Sequence, residues 1–147
     1  MKFTLIIDKN QEEEVVIRAH SPSILTEQIE ALILAQNHQD RIAAYTEEEM
    51  RILKFSQIEC ITVLDGKVTA IDTTGKHYRL KLRLYELEQQ LPPSFIRINK
   101  SALANEKALD RFTVTIAGSV DAVFKCGYRE YVSRRCFSQI KRRFESK

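Results

Sequence analysis

The sequence predicts two parts: a mainly β C-terminal domain of short antiparallel strands with little helix, over residues 50–147, and a small α+β module before it, over residues 1–49. Three observations predict this. From residue 50 onward the apolar residues alternate with period two, and tight-turn signals at Asp65-Gly66, Thr74-Gly75 and Gly118 interrupt them. Before residue 50, two short β-branched stretches are followed by apolar residues at helical spacing. The charge changes sign between the two parts: residues 1–49 hold four bases and ten acids, whereas residues 97–147 hold twelve bases and five acids.

In the first part, residues 2–7 and 14–18 are apolar and separated by the polar stretch 8–13, which predicts a hairpin. Ser21-Pro22 supplies an N-cap and a proline at the first helical position. Ile24, Leu25, Ile29, Leu32 and Ile33 then share one helical face, ending near Asn37. That face serves either dimerisation or packing within the chain. Residues 41–45 suit a short strand, and Glu47-Glu48-Glu49 reads as a boundary.

In the second part, residues 51–55 and 58–64 read as strands. Asp65-Gly66 then turns the chain, because glycine supplies the positive φ of a primed turn, and 67–72 returns. After Thr74-Gly75, residues 76–80 add a strand. Leu84, Leu87 and Leu91 shift to helical spacing, and Pro92-Pro93 ends the helix expected over 82–90. Residues 95–98 form a strand leading into the polar patch Asn99-Lys100-Ser101. Residues 109–116 and 120–124 make a hairpin about Gly118, and 128–132 add a strand. Ser133 caps a last helix with Phe137, Ile140 and Phe144 on one side and Arg134, Arg135, Lys141, Arg142 and Arg143 on its polar surface.

Chemistry-bearing patterns are missing. His20, His38 and His77 are scattered without metal-ligand spacing, and no glycine-rich phosphate loop or nucleophile elbow occurs. The sequence therefore predicts no enzyme, no cofactor and no small-molecule substrate. Cys60, Cys126 and Cys136 are odd in number, which argues against a disulfide scaffold and for a reducing cytoplasm. Cys136 has basic neighbours that lower a thiol pKa, so it is either reactive or a small packing residue. No apolar run reaches the ~18 residues of a membrane helix, and residues 1–8 lack the long apolar core of a signal peptide. The basic second part suits a polyanion.

Three stretches carry a family resemblance. They are Ile61-Thr62-Val63-Leu64-Asp65-Gly66-Lys67-Val68, then 95–105 (Phe-Ile-Arg-Ile-Asn-Lys-Ser-Ala-Leu-Ala-Asn), then Tyr131-Val132-Ser133-Arg134-Arg135-Cys136-Phe137. The second is similar to the F-x-R-x-H/N-K/N-S-x-x-V-N core, and the third to the V-S-R-R-Y element, of the LytTR DNA-binding domain of bacterial transcription regulators. Together they span roughly 90 of the 147 residues, in family order. Ala102, Ala104 and Cys136 depart from the pattern, being smaller than the usual aromatic, valine and tyrosine.

The resemblance implies a short regulator without a receiver domain. It would be a homodimer that places loops, not a recognition helix, into successive major grooves of a paired or repeated double-stranded DNA site. It implies base-reading or phosphate roles for Lys67, Asn99, Lys100, Ser101, Arg134 and Arg135, with Arg97 either binding phosphate or pairing internally. Asn99 offers the donor and acceptor that match an adenine edge, and arginine the pair of donors that match guanine. Some members of this group are restrained by a small membrane protein. The competing expectation is a protein-interaction module whose basic tail binds an acidic partner.

Overall fold

The computed structural model describes residues 1–37 and 40–145. It is mainly antiparallel β-structure with three helices, one of which precedes the sheets. The elements are α1 (Ile24–Asn37), β1 (Arg41–Tyr45), β2 (Met50–Lys54), β3 (Ile58–Leu64), β4 (Lys67–Asp72), β5 (His77–Arg79), α2 (Leu84–Gln90), β6 (Phe95–Asn99), β7 (Ala102–Asn105), β8 (Leu109–Val114), β9 (Val120–Phe124), β10 (Arg129–Val132) and α3 (Arg134–Glu145). Seven strands form one sheet in the order β2-β1-β5-β4-β3-β7-β6, and three form a second in the order β10-β9-β8.

The chain divides into two compact units, Met1–Gln36 and Asn37–Lys147. Strand β1 pairs with β2 along its length and with β5 at Tyr45–Arg79, so it belongs to the large sheet. The acids Glu47-Glu48-Glu49, expected as a boundary, instead form the turn of the β1–β2 hairpin. There Thr46 N–H donates to the Glu49 carbonyl at 2.9 Å, and the Thr46 hydroxyl accepts from the Glu49 N–H at 3.2 Å.

Two other local expectations are corrected in the first unit. Residues 2–7 and 14–18 form no strand with any described residue, and only a turn at residues 8–11 joins them. The cap of α1 is Ser23, not Ser21. Thr26 N–H donates to the Ser23 hydroxyl, and Ser23 N–H donates to the Thr26 hydroxyl, a reciprocal cap that fixes the helix start two residues later.

The second unit has two cores, one on each face of the large sheet. Period-two geometry sends successive residues to opposite faces. Ile61, Ala70 and Leu103 join Leu53, Ile58, Tyr78 and Leu87 of α2, while Cys60, Ile71, Ala102 and Ala104 join Val120, Phe124 and Val132 of the small sheet and Ile140 of α3. A register shift between Ile58 and Cys60 bulges Glu59, which explains why Ile58 and Cys60 face opposite cores although two residues apart. Strand β7 was not expected as a strand. Its alanines are fully buried beneath the small sheet, so the departures at 102 and 104 are filled from the other side.

Candidate nucleic-acid interface

Turn chemistry fixes the first segment. Asp65 and Gly66 have φ of 52° and 74°, the pair of positive values a two-residue primed turn needs, and the register closes at Leu64–Lys67. Lys67 leaves this turn exposed.

The second segment is the 99–101 loop between β6 and β7. Asn99 is buried, and both ends of its amide are engaged. Its Oδ1 accepts the Ser101 N–H at 2.7 Å, and its Nδ2 donates to the Tyr131 carbonyl at 2.6 Å. The donor and acceptor that the sequence offered to a base are thus both spent within the protein. In this structure Asn99 shapes the loop, as asparagine does when it bonds the backbone two residues on. Arg97 works on the same loop. Its Nη1 donates to the Lys100 carbonyl at 2.7 Å and its Nε pairs with Glu88, so it pairs internally. Lys100 and Ser101 remain exposed.

The third segment is the start of α3. The Ser133 hydroxyl accepts the Cys136 N–H at 3.2 Å, the capping role read from the sequence. Arg134 and Arg135, the first two helical residues, are exposed. Cys136 is half-buried and packs against the core, which supports the packing role.

Hydrogen bonds join the three segments into one edge. Val63 N–H donates to the Ser101 carbonyl at 3.1 Å, tying the β3–β4 hairpin to the loop. Ser133 N–H donates to the Ile98 carbonyl at 2.9 Å, tying the loop to α3. Lys67, Lys100, Arg134 and Arg135 therefore stand on three linked segments. None of the four has an ion-pair partner among the described residues, whereas Arg97, Arg111 and Arg143 pair with Glu88, Asp110 and Glu106. Exposed cations at the start of a helix and on tight turns are the groups that meet phosphate oxygens and guanine edges.

Behind the edge lies a residue the sequence reading missed. Glu130 accepts from the Tyr128 hydroxyl at 3.0 Å, from the Tyr131 N–H at 3.2 Å and from Asn99 Nδ2 at 3.4 Å. Burial, then the Glu130 charge, raises the Tyr128 phenol above its ordinary range and keeps it a donor. Burial likewise raises the Cys60 thiol well above its usual value, with Glu130 adding to it. The available signal was the strand period: Glu130 lies two residues before buried Val132, which places a carboxylate on the core-facing side of β10. Among the described residues, no group of three His, Cys, Asp or Glu is placed to hold a metal ion, and no helix is long and apolar enough to cross a membrane.

The model of the LytTr DNA-binding domain matches residues 48–145. The chain belongs to the LytTR DNA-binding domain family. Two proteins of Staphylococcus aureus, strains NCTC 8325 and MW2, are 36% and 35% identical to it. Each match covers 97% of both chains, and both proteins carry the name "Uncharacterized HTH-type transcriptional regulator". Among solved structures, the LytTr DNA-binding domain of a Bacillus cereus protein described as a methyl-accepting/DNA response regulator superposes with a TM-score of 0.62. It is 21% identical, and the match covers 70% of this chain and 94% of that one, which shows a shared fold. The LytTR fold seen here holds no helix-turn-helix among its described residues, since strands β6 to β10 separate α2 from α3.

Proposed function

We propose that this LytTR protein is a sequence-specific transcription regulator. It acts as a homodimer on a paired or repeated DNA site, with the Lys67 hairpin, the 99–101 loop and the start of α3 entering successive grooves. The observation that carries the reading is the edge itself: three sequence-distant segments, linked by backbone hydrogen bonds, present four exposed cations with no ion-pair partner among the described residues. The names of the Staphylococcus relatives and the family's DNA-binding description agree with it. Within this reading Lys67 and Arg135 contact base edges, Lys100, Ser101 and Arg134 contact phosphates, and Asn99 sets the loop that carries two of them.

The test is fluorescence anisotropy with duplexes from upstream of the protein's own gene against scrambled duplexes of equal length, across a salt series. Regulator binding is sequence-selective, and its log affinity falls with log salt by roughly 0.9 per phosphate contacted. Binding that ignores duplex sequence would favour the competing module, whose basic tail meets an acidic protein.

A further inference from the structure

The first unit, Met1–Gln36, has the composition of a core and the exposure of a surface. Phe3, Leu5 and Ile7 are 87%, 72% and 84% exposed, and Val15, Val16, Leu25 and Leu32 are exposed as well. Residues 3–7 and 15–17 carry no charge and are rich in β-branched side chains, yet they form no strand with any described residue. A unit this short cannot bury enough apolar surface alone; below about 40 residues, oligomerisation, metal or disulfides are usually needed. Residues 1–36 contain no cysteine for a disulfide, and among the described residues no group of three His, Cys, Asp or Glu is placed to hold a metal ion.

The same unit also holds an open groove of about 650 Å³, lined by Val15, Ile17 and Ala19 and by Ile29 and Ile33 of α1, with Glu27 and Glu30 of the same helix also on its wall. Phe3, Leu5 and Ile7 of the same chain do not line it. Five extended residues, 3–7, span about 17 Å. The α1 residues that line the groove run from Thr26 to Ile33 and span about 12 Å, so the strap is long enough to cover that wall.

We infer that the occupant of this groove is residues 3–7 of a second copy, so that two chains exchange straps and complete one another's core. Reciprocity favours a second copy over any other partner. Each chain carries both an unfilled groove and an unpaired strap, and a two-fold axis satisfies both at once and closes at the dimer. The area suffices too. Roughly ten exposed large apolar side chains at about 100 Å² each give about 1,000 Å² per copy, above the ~800 Å² per partner of a standard stable interface. The acids Glu12, Glu13 and Glu14 fall outside residues 3–7 and 15–17, and Glu27 and Glu30 on the groove wall are solvent-exposed, so their carboxylates can stay at its rim. This assigns the interface of the proposed homodimer but uses no property of the DNA-facing edge.

The experiment is light scattering on the full chain without DNA, with hydrogen exchange alongside. The wild type should run at twice the 17.1 kDa chain mass. Leu5→Asp and Ile7→Asp each replace a side chain that is mostly solvated in the single chain, so neither disturbs its fold, and each should weaken the dimer at least tenfold. Amides of residues 3–7 should exchange slowly in the dimer and fast on dilution. A wild type of single-chain mass, dimers unchanged by both variants, or protection of residues 3–7 that persists at monomer concentrations would each overturn the inference. Loss of sequence-selective DNA binding with the dimer intact would instead count against the reading of the 99–101 edge.

Discussion

The side-chain Nδ2 of Asn99 donates to the backbone carbonyl of Tyr131 across 2.6 Å, joining the loop after β6 to the last strand before α3. The two residues stand at the roots of two of the three segments proposed to meet DNA. Their bond makes the spacing between those segments a property of the folded protein, set before any ligand arrives. Preorganisation of this kind lowers the ordering cost of binding.

Asn99→Ala is therefore expected to behave as a structural change. It removes a buried donor and acceptor and leaves the Tyr131 carbonyl and the Ser101 N–H without their partner. The expected loss is about 1–3 kcal/mol of stability, read by urea unfolding. Affinity for DNA should fall for selected and scrambled duplexes together, because the loop is displaced as a unit. An Asn99→Ala protein of wild-type stability that loses preference at one base pair would return the residue to a reading role.

The Tyr128–Glu130 pair sets an alkaline limit. The Tyr128 phenol is raised above its ordinary value, so the folded state holds its proton more tightly than the unfolded chain does. The sign follows: this contribution is complete below the ordinary tyrosine value of about 10 and is lost as pH rises above it through the folded value. Unfolding midpoints measured from pH 8 to 12 should drop over that window, and Tyr128→Phe should flatten the part of the drop this phenol supplies. An equal drop in the variant would assign the limit to other groups.

The parts that were legible in the sequence are those whose cause is local. Asp65-Gly66 needed only the positive φ of its turn, and Ser133 only its own hydroxyl, so both were found at their positions. Strand β7 was not legible because Ala102 and Ala104 are buried by a sheet that is remote in sequence, and nothing in their own pattern marks them as core. Lys67, Lys100, Arg134 and Arg135 were singled out through family order, as was Asn99, whose amide bonds within the protein could not be read from its own position. Its bond to Tyr131 spans 32 residues, while the Asn-x-Ser pattern that shapes the loop was in plain view. Residues 2–7 and 14–18 read as strands for a sound reason, β-branched apolar composition, yet they lack a partner within the described chain.

Gly66→Ala tests how far the first segment depends on its turn. Gly66 has a φ of 74°, and an added Cβ would meet nothing within 4 Å, so any cost is conformational and not steric crowding. A left-handed alanine costs roughly 1–2 kcal/mol. Stability should fall by that amount. Because Lys67 follows the turn directly, selectivity should fall further than in a variant of equal stability made elsewhere, which is the comparison to run by anisotropy.

Arg135 and Lys100 separate reading from anchoring. Arg135 lies in the first turn of a helix whose N-terminus is fixed by Ser133, so its guanidinium can hold the two-donor geometry that matches guanine. Arg135→Ala should cost about 1–3 kcal/mol at the selected site and relax preference at a single base pair. Lys100 carries a point charge on a long flexible stem, which suits phosphate. Lys100→Ala should weaken all duplexes alike and reduce the slope of log affinity against log salt by about 0.9. Neither side chain has a described protein partner, so urea midpoints should stay at the wild-type value in both. The reverse pattern, with Lys100→Ala changing base preference and Arg135→Ala only the salt slope, would exchange the two roles while keeping the edge. A salt slope unaltered in both would remove this edge from the DNA.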